Sequence, residues 1–163
     1  MLREFWQRRV VDVVLSQLRQ GITPEKIALT IATGATLGVF PVLGSTMFIC
    51  FAAGVALKLN QPIIQAVNYL VYPLQLAGIY FFIRIGEWLT RATPQQFTIG
   101  GLLQQFKAAP LQFFRDFGLT ALRGVLAWCV LAPIAAAALY FGLRPLLRRL
   151  AALRATDRAT HGA

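Results

Sequence analysis

The chain is poor in charge, and poorest in negative charge: 13% of its 163 residues are Asp, Glu, Lys or Arg, and only six are acidic. Soluble domains carry about a quarter charged residues, so an ordinary solvated surface is excluded over much of the length. Histidine occurs once, at His161, and cysteine twice, at Cys50 and Cys129. These few residues make no metal-ligand spacing and no disulfide framework, and both cysteines sit inside apolar runs as small core residues. The acids nearest the apolar runs, Glu25, Glu87 and Asp116, are too dispersed for paired-carboxylate chemistry. No serine stands in a nucleophile motif. Catalysis is therefore not expected, and no cofactor or metal is implied. The chain also opens on an amphipathic charged stretch where a signal peptide has a compact apolar one.

What is present is apolar, and the charges are bunched around it. Hydrophobic residues make up 57% of the chain and the mean hydropathy is +0.61. Charge is absent from Ile27 to Leu57, Leu59 to Ile83 and Gly124 to Leu143, runs of 31, 25 and 20 residues. A run of about 18 suffices for a membrane-span candidate. The expected class is an all-α integral membrane protein with one domain. Its net charge of +10 comes from Lys and Arg at the margins of these runs, densest at Arg3, Arg8, Arg9 and Arg19 and at Arg144, Arg148, Arg149, Arg154 and Arg158. Such flanks fit anionic lipid headgroups at the basic termini, with both termini cytoplasmic, and do not point to nucleic acid.

Along the chain, residues 1–20 form an amphipathic helix, lying in the membrane interface or packed on the body of the protein. Thr23 and Pro24 then cap and open a helix that stops at Gly38-Val39-Phe40-Pro41, and Ser45 and Thr46 can cap a second from Met47 to about Leu59. Two helices of about 14 residues are each about 21 Å long, short of the roughly 30 Å hydrocarbon core. This predicts a broken hairpin, re-entrant with its turn at depth; two full spans are the competing arrangement. Small-residue steps at Ala28/Ala32, Gly34/Gly38 and Ala52/Ala56 would let its two backbones approach.

From Pro62 to about Leu89 a transmembrane helix kinked at Pro73 is expected, with Gln65, Asn68, Tyr72 and Gln75 on one polar face. Arg84, Glu87 and Arg91 have the spacing of an interfacial charge cluster. Residues 90–118 form a polar and interfacial connection, 119–143 the last transmembrane helix, and 144–163 a basic tail.

The segments Gly38-Val39-Phe40-Pro41-Val42-Leu43-Gly44-Ser45-Thr46 and Leu59-Asn60-Gln61-Pro62, followed by Asn68 and Pro73, resemble an uncharacterised bacterial inner-membrane domain family, a domain of unknown function. The resemblance covers about Thr23 to Leu89. It implies a multi-pass location in the bacterial inner membrane and no established activity. Members stand alone or are attached to glycosyltransferases. This chain departs from the family pattern at Tyr69 and Val71, where a proline and a threonine are usual.

Two functions follow as expectations. One is binding or translocation of an anionic lipid or lipid-linked envelope intermediate, with Gly38, Pro41, Gly44, Ser45, Thr46, Asn68 and Gln75 forming a site at the start of the second hairpin helix. The other is a non-catalytic scaffold or assembly partner of another membrane protein, or a homo-oligomer. In that case Gln65, Asn68 and Gln75 bond across helices and the turn is a packing device.

Overall fold

The computed structural model describes residues 22–93 and 109–161. The expected helix over 1–20 and most of the 90–118 connection lie outside the described residues. Among the described residues five helices follow one another: α1 Pro24–Gly38, α2 Thr46–Ala56, α3 Gln61–Leu70, α4 Tyr72–Leu89 and α5 Pro110–His161. Among the described residues there is no strand.

The starts and stops obey local chemistry. Thr23 caps α1 by accepting from the Lys26 amide, with Pro24 in the first turn, where its missing N–H costs nothing. Asn60 caps α3 the same way, its Oδ1 3.0 Å from the Ile63 amide. Ser45 precedes α2 but makes no side-chain cap, because its hydroxyl donates back to the Val42 carbonyl at 2.8 Å. α2 closes at Ala56, short of the expected Leu59. Lys58 takes a left-handed φ of 51° there, and the Leu59 amide reaches back to the Gly54 carbonyl.

Two expectations about helix continuity are corrected. The stretch from Pro62 to Leu89 is not one kinked helix: it breaks at Val71, and α3 and α4 meet at 62°. Pro73 falls inside the first turn of α4, where proline is tolerated, so the chain restarts there. The last span and the basic tail are likewise not separate elements. α5 runs 52 residues, about 78 Å. It carries Pro133 and Pro145 within it.

Direction comes from contacts. α1 and α3 run the same way: Gly34 faces Ile64 and Val67, and Gly38 faces Asn68 and Val71. α2 returns between them, with Gln65 Nε2 on the Met47 carbonyl and Gln61 Nε2 on the Phe51 carbonyl. α5 runs against α1, since Arg148 pairs with Glu25 at 2.6 Å and Trp128 reaches Thr36. Ile27, Ala28, Ile63, Val67 and Leu147 form the main cluster, and Cys50, Leu59 and Ile64 a second.

The small residues expected to join the two hairpin helices do something else. Gly34 and Gly38 press on α3, while Ala52 and Ala56 are exposed. The small residue that α2 does use is Gly54, against which the Gln61 amide lies.

The edges of the charge-free stretches coincide in space. Ile83, the last residue of one, lies 3.5 Å from where a side chain on Gly124, the first residue of another, would begin. At the other end Ile27 clusters with Leu147, and Glu25 reaches Arg148 and, at 4.0 Å, Arg144. The chain therefore enters α1 and leaves the charge-free part of α5 at the same end. Pro41 also sits against Gly124, 3.8 Å from that same position. This sets the Phe40–Ser45 turn beside Gly124, at the Arg123 end of the charge-free part of α5.

Candidate functional site

The turn between α1 and α2 is held from three sides by side-chain donors. At the end of α1 the Phe40 amide bonds to the Leu37 carbonyl, so the bond it would make one turn back to Thr36 is lost. Trp128 of α5 fills that place, its Nε1 donating to the Thr36 carbonyl at 3.2 Å. Its ring meets Phe40 edge-on, with centroids 5.0 Å apart. Gln75, 1% exposed at the start of α4, donates from Nε2 to the Phe40 carbonyl at 2.8 Å. On the α2 side, Gln65 donates to the Met47 carbonyl at 3.2 Å and accepts from Asn68 Nδ2 at 3.4 Å.

Of the residues anticipated for a ligand, Gly38, Pro41, Thr46, Asn68 and Gln75 are buried, Ser45 is half-buried and Gly44 is exposed. Gly38 has no room for a side chain: a Cβ there would stand 2.5 Å from Val71 Cγ2 and 3.1 Å from Asn68 Oδ1. Gly44 meets nothing within 4 Å and has φ +81°. Its glycine is needed for backbone conformation and not for close approach. Gln65, Asn68 and Gln75 face the bundle, but Tyr72 points outward, because the break at Val71 interrupts the face it was expected to share. Two buried oxygens near this turn, Thr36 Oγ1 and Gln75 Oε1, have no hydrogen-bond partner among the described residues. The free Gln75 atom is an acceptor, which disfavours an anion beside it.

A second polar group stands at the far end of α4. Glu87 is buried and accepts from Arg84 Nη1 at 2.8 Å, and the Arg84 guanidinium lies over the Tyr80 ring, 4.9 Å from its centroid. Arg91 does not join Glu87 in an ion pair but lines the same cavity. α4 and α5 cross closely here, since a side chain on Gly86 would collide with the Arg123 carbonyl. At the opposite end of the bundle, Glu25 is held below the usual carboxylate range by its own backbone amide and by Arg148.

Sequence reasoning missed Trp128 and the burial of Glu87. The signal for the first was a lone tryptophan in the middle of an apolar run, whose N–H must find an acceptor. Glu87 gave no such signal, because its burial depends on how closely α4 approaches α5.

Large hydrophobic side chains lie on the outer surface as well as in the core. The candidate membrane-spanning stretch, Phe117–Ala152, is long and apolar enough to cross a bilayer, and only 17% of its apolar window is buried. Phe48, Phe51, Leu74, Ile134 and Phe141 are among the large hydrophobics facing outward, while Thr30, Thr36, Thr46, Asn68, Gln75, Glu87 and Thr120 are inside.

These features accompany a family match over nearly the whole chain. Residues 7–156 match a family of uncharacterized proteins conserved in bacteria (DUF2062), and the chain belongs to that family. The match extends well past the Thr23–Leu89 stretch in which the resemblance was recognised. No curated protein and no solved structure matches the chain.

Proposed function

We propose that this is a non-catalytic, multi-pass scaffold of the bacterial inner membrane, which docks another membrane protein through its outward helices. The observation that carries this reading is the spending of polar groups at the turn. Gln65, Gln75 and Trp128 each donate to a backbone carbonyl bracketing Phe40–Ser45, and Ser45 bonds within the turn. Interhelical amide bonds of this kind hold membrane bundles together. A site for an anionic lipid intermediate at the start of α2 needs the same groups free, so the packing reading is preferred.

The membrane location rests on the coincident charge boundaries. Gly124 to Leu143 spans about 30 Å of helix, the thickness of a hydrocarbon core. The bent α3–α4 pair and α5 then traverse this layer, and α1 and α2, about 22 and 16 Å long, lie within it with their turn toward its far edge. The entry to α1 shares its face with the basic end of α5, so both termini are cytoplasmic. Large side chains facing lipid and small or polar ones facing protein are what such a bundle needs.

A photoreactive residue in place of Phe48, compared in living cells with one in place of Gln75, tests the reading. A discrete protein adduct from position 48 and none from position 75 is expected. An adduct at twice the chain's own mass identifies the partner as a second copy. Lipid adducts alone at position 48 would return the turn to lipid handling.

A further inference from the structure

The cavity at the C-terminal end of α4 has a volume of about 730 Å³ and is lined by Arg84, Glu87, Trp88, Leu89 and Arg91, among others. Glu87 is buried beneath Arg84 and fixes its guanidinium, while the Tyr80 ring supports it from the side. Among the described residues the lining carries one acid and two guanidiniums. Arg91 is the residue that calls for explanation. It has φ 51°, a left-handed conformation that glycine adopts readily and arginine does not. Its side chain is not needed to finish the helix. The Thr90, Arg91 and Ala92 amides already reach the Gly86, Trp88 and Glu87 carbonyls, and Thr90 Oγ1 adds a second bond to Gly86. Among the described residues Arg91 makes no ion pair or side-chain hydrogen bond, and it is exposed.

The rim is apolar and aromatic: Trp88 is 80% exposed, and Leu89 beside it is also exposed. The cavity begins one residue beyond Ile83, where the charge-free stretch ends against Gly124. In a bilayer that is headgroup depth, where tryptophan is enriched and arginine meets phosphate.

We infer that this cavity binds the phosphate of an anionic phospholipid headgroup on the leaflet opposite the basic tail, with Arg91 as the principal contact and Arg84 positioned by Glu87. The inference rests on the membrane reading above but not on the scaffold role.

Arg91→Gly is the decisive variant, because it removes the charge while relieving the left-handed backbone. The purified full chain is incubated with phosphatidylglycerol or phosphatidylcholine in mixed micelles, and retained lipid is counted by native mass spectrometry. The wild type should retain phosphatidylglycerol in preference, and Arg91→Gly should lower that retention about tenfold, as for one lost charge-assisted hydrogen bond. Its melting temperature should be unchanged or higher. Arg84→Gln/Glu87→Gln, which leaves no buried charge unpaired, should lower retention to a smaller extent. Equal retention of the two lipids by the wild type, or undiminished phosphatidylglycerol retention by Arg91→Gly, overturns the site. Displacement of the lipid by millimolar inorganic phosphate overturns the lipid as the ligand's source. Alkaline carbonate washing of cell membranes separates the two readings. A chain released by the wash refutes the membrane location itself, whereas a retained chain with unchanged lipid counts refutes this site alone.

Discussion

α2 and all but the first three residues of α1 are cut from the same 31-residue charge-free stretch, yet the two helices differ in what they bury. Seven of the 15 residues of α1 are buried, and all but Ile27 are small or hydroxylated: Ile27, Ala28, Thr30, Ala32, Gly34, Thr36 and Gly38. α2 buries three of its 11 residues, Thr46, Cys50 and Gly54, and turns Phe48, Phe51 and Val55 outward. Apolarity does not sort these helices. If the bundle lies in lipid as proposed, the large apolar side chain gains little from moving inside, whereas glycine and threonine permit close backbones and hydrogen bonds. The buried positions of α1 and α2 thus go mostly to small and hydroxylated residues, while Ile27, Ile63 and Ile64 show that large apolar side chains are buried as well.

The contrast can be broken most sharply at the glycines. A side chain on Gly34 would start 3.0 Å from the Ile64 carbonyl, so Gly34→Leu should cost more than about 3 kcal/mol and yield little folded protein. Ala52→Leu, on the exposed face of α2, should change stability by less than about 0.5 kcal/mol. Circular dichroism during denaturation in detergent measures both, and similar losses would abolish the distinction between the two helices.

A smaller effect is expected at the turn. Gln75→Leu removes the donor to the Phe40 carbonyl and should cost about 1 kcal/mol, in line with interhelical hydrogen bonds in membrane proteins. Phe48→Leu in the same assay should be nearly neutral. A neutral Gln75→Leu would mean that the turn does not depend on this bond.

The smallest effect concerns the basic end. The Glu25 carboxyl lies below its ordinary value of 4.5 in the folded state, so its contribution is present above that pH and is lost as pH falls through the lower folded value. Glu25→Gln should therefore melt slightly below the wild type at pH 7, and the gap should close as pH falls below 4.5 and through the lowered folded value. A gap that persists in acid would show that the pair with Arg148 is not its cause.

Much of this arrangement was legible in the chain. The three charge-free runs, the caps at Thr23 and Asn60, and the stop at Gly38-Val39-Phe40-Pro41 are local facts, fixed by side-chain chemistry within a few residues. The partners were not local. Gly34 and Gly38 were expected against α2, but the helix they meet is set by the return of α3 about 30 residues later. Trp128 joins Thr36 across 92 positions, and no periodicity encodes that distance. The break at Val71 was half visible: Pro73 announced a disturbance, but whether a helix bends or restarts depends on which carbonyls the bundle can satisfy. The bonds around the turn were hidden for the same reason, since Gln65, Gln75 and Trp128 find their acceptors in distant elements.

The central claim is that the charge-free stretches lie side by side as one bilayer-thick layer, with the Phe40–Ser45 turn at one edge and Lys58 and the basic end of α5 at the other. Single cysteines at Leu43, Lys58 and Ala152, placed in a chain with Cys50 and Cys129 replaced, can be labelled with a membrane-impermeant thiol reagent from each side of oriented vesicles. Position 43 should react from one side only, and positions 58 and 152 only from the other. Labelling of position 43 from the same side as 152, or of all three from both sides of sealed vesicles, would contradict the account.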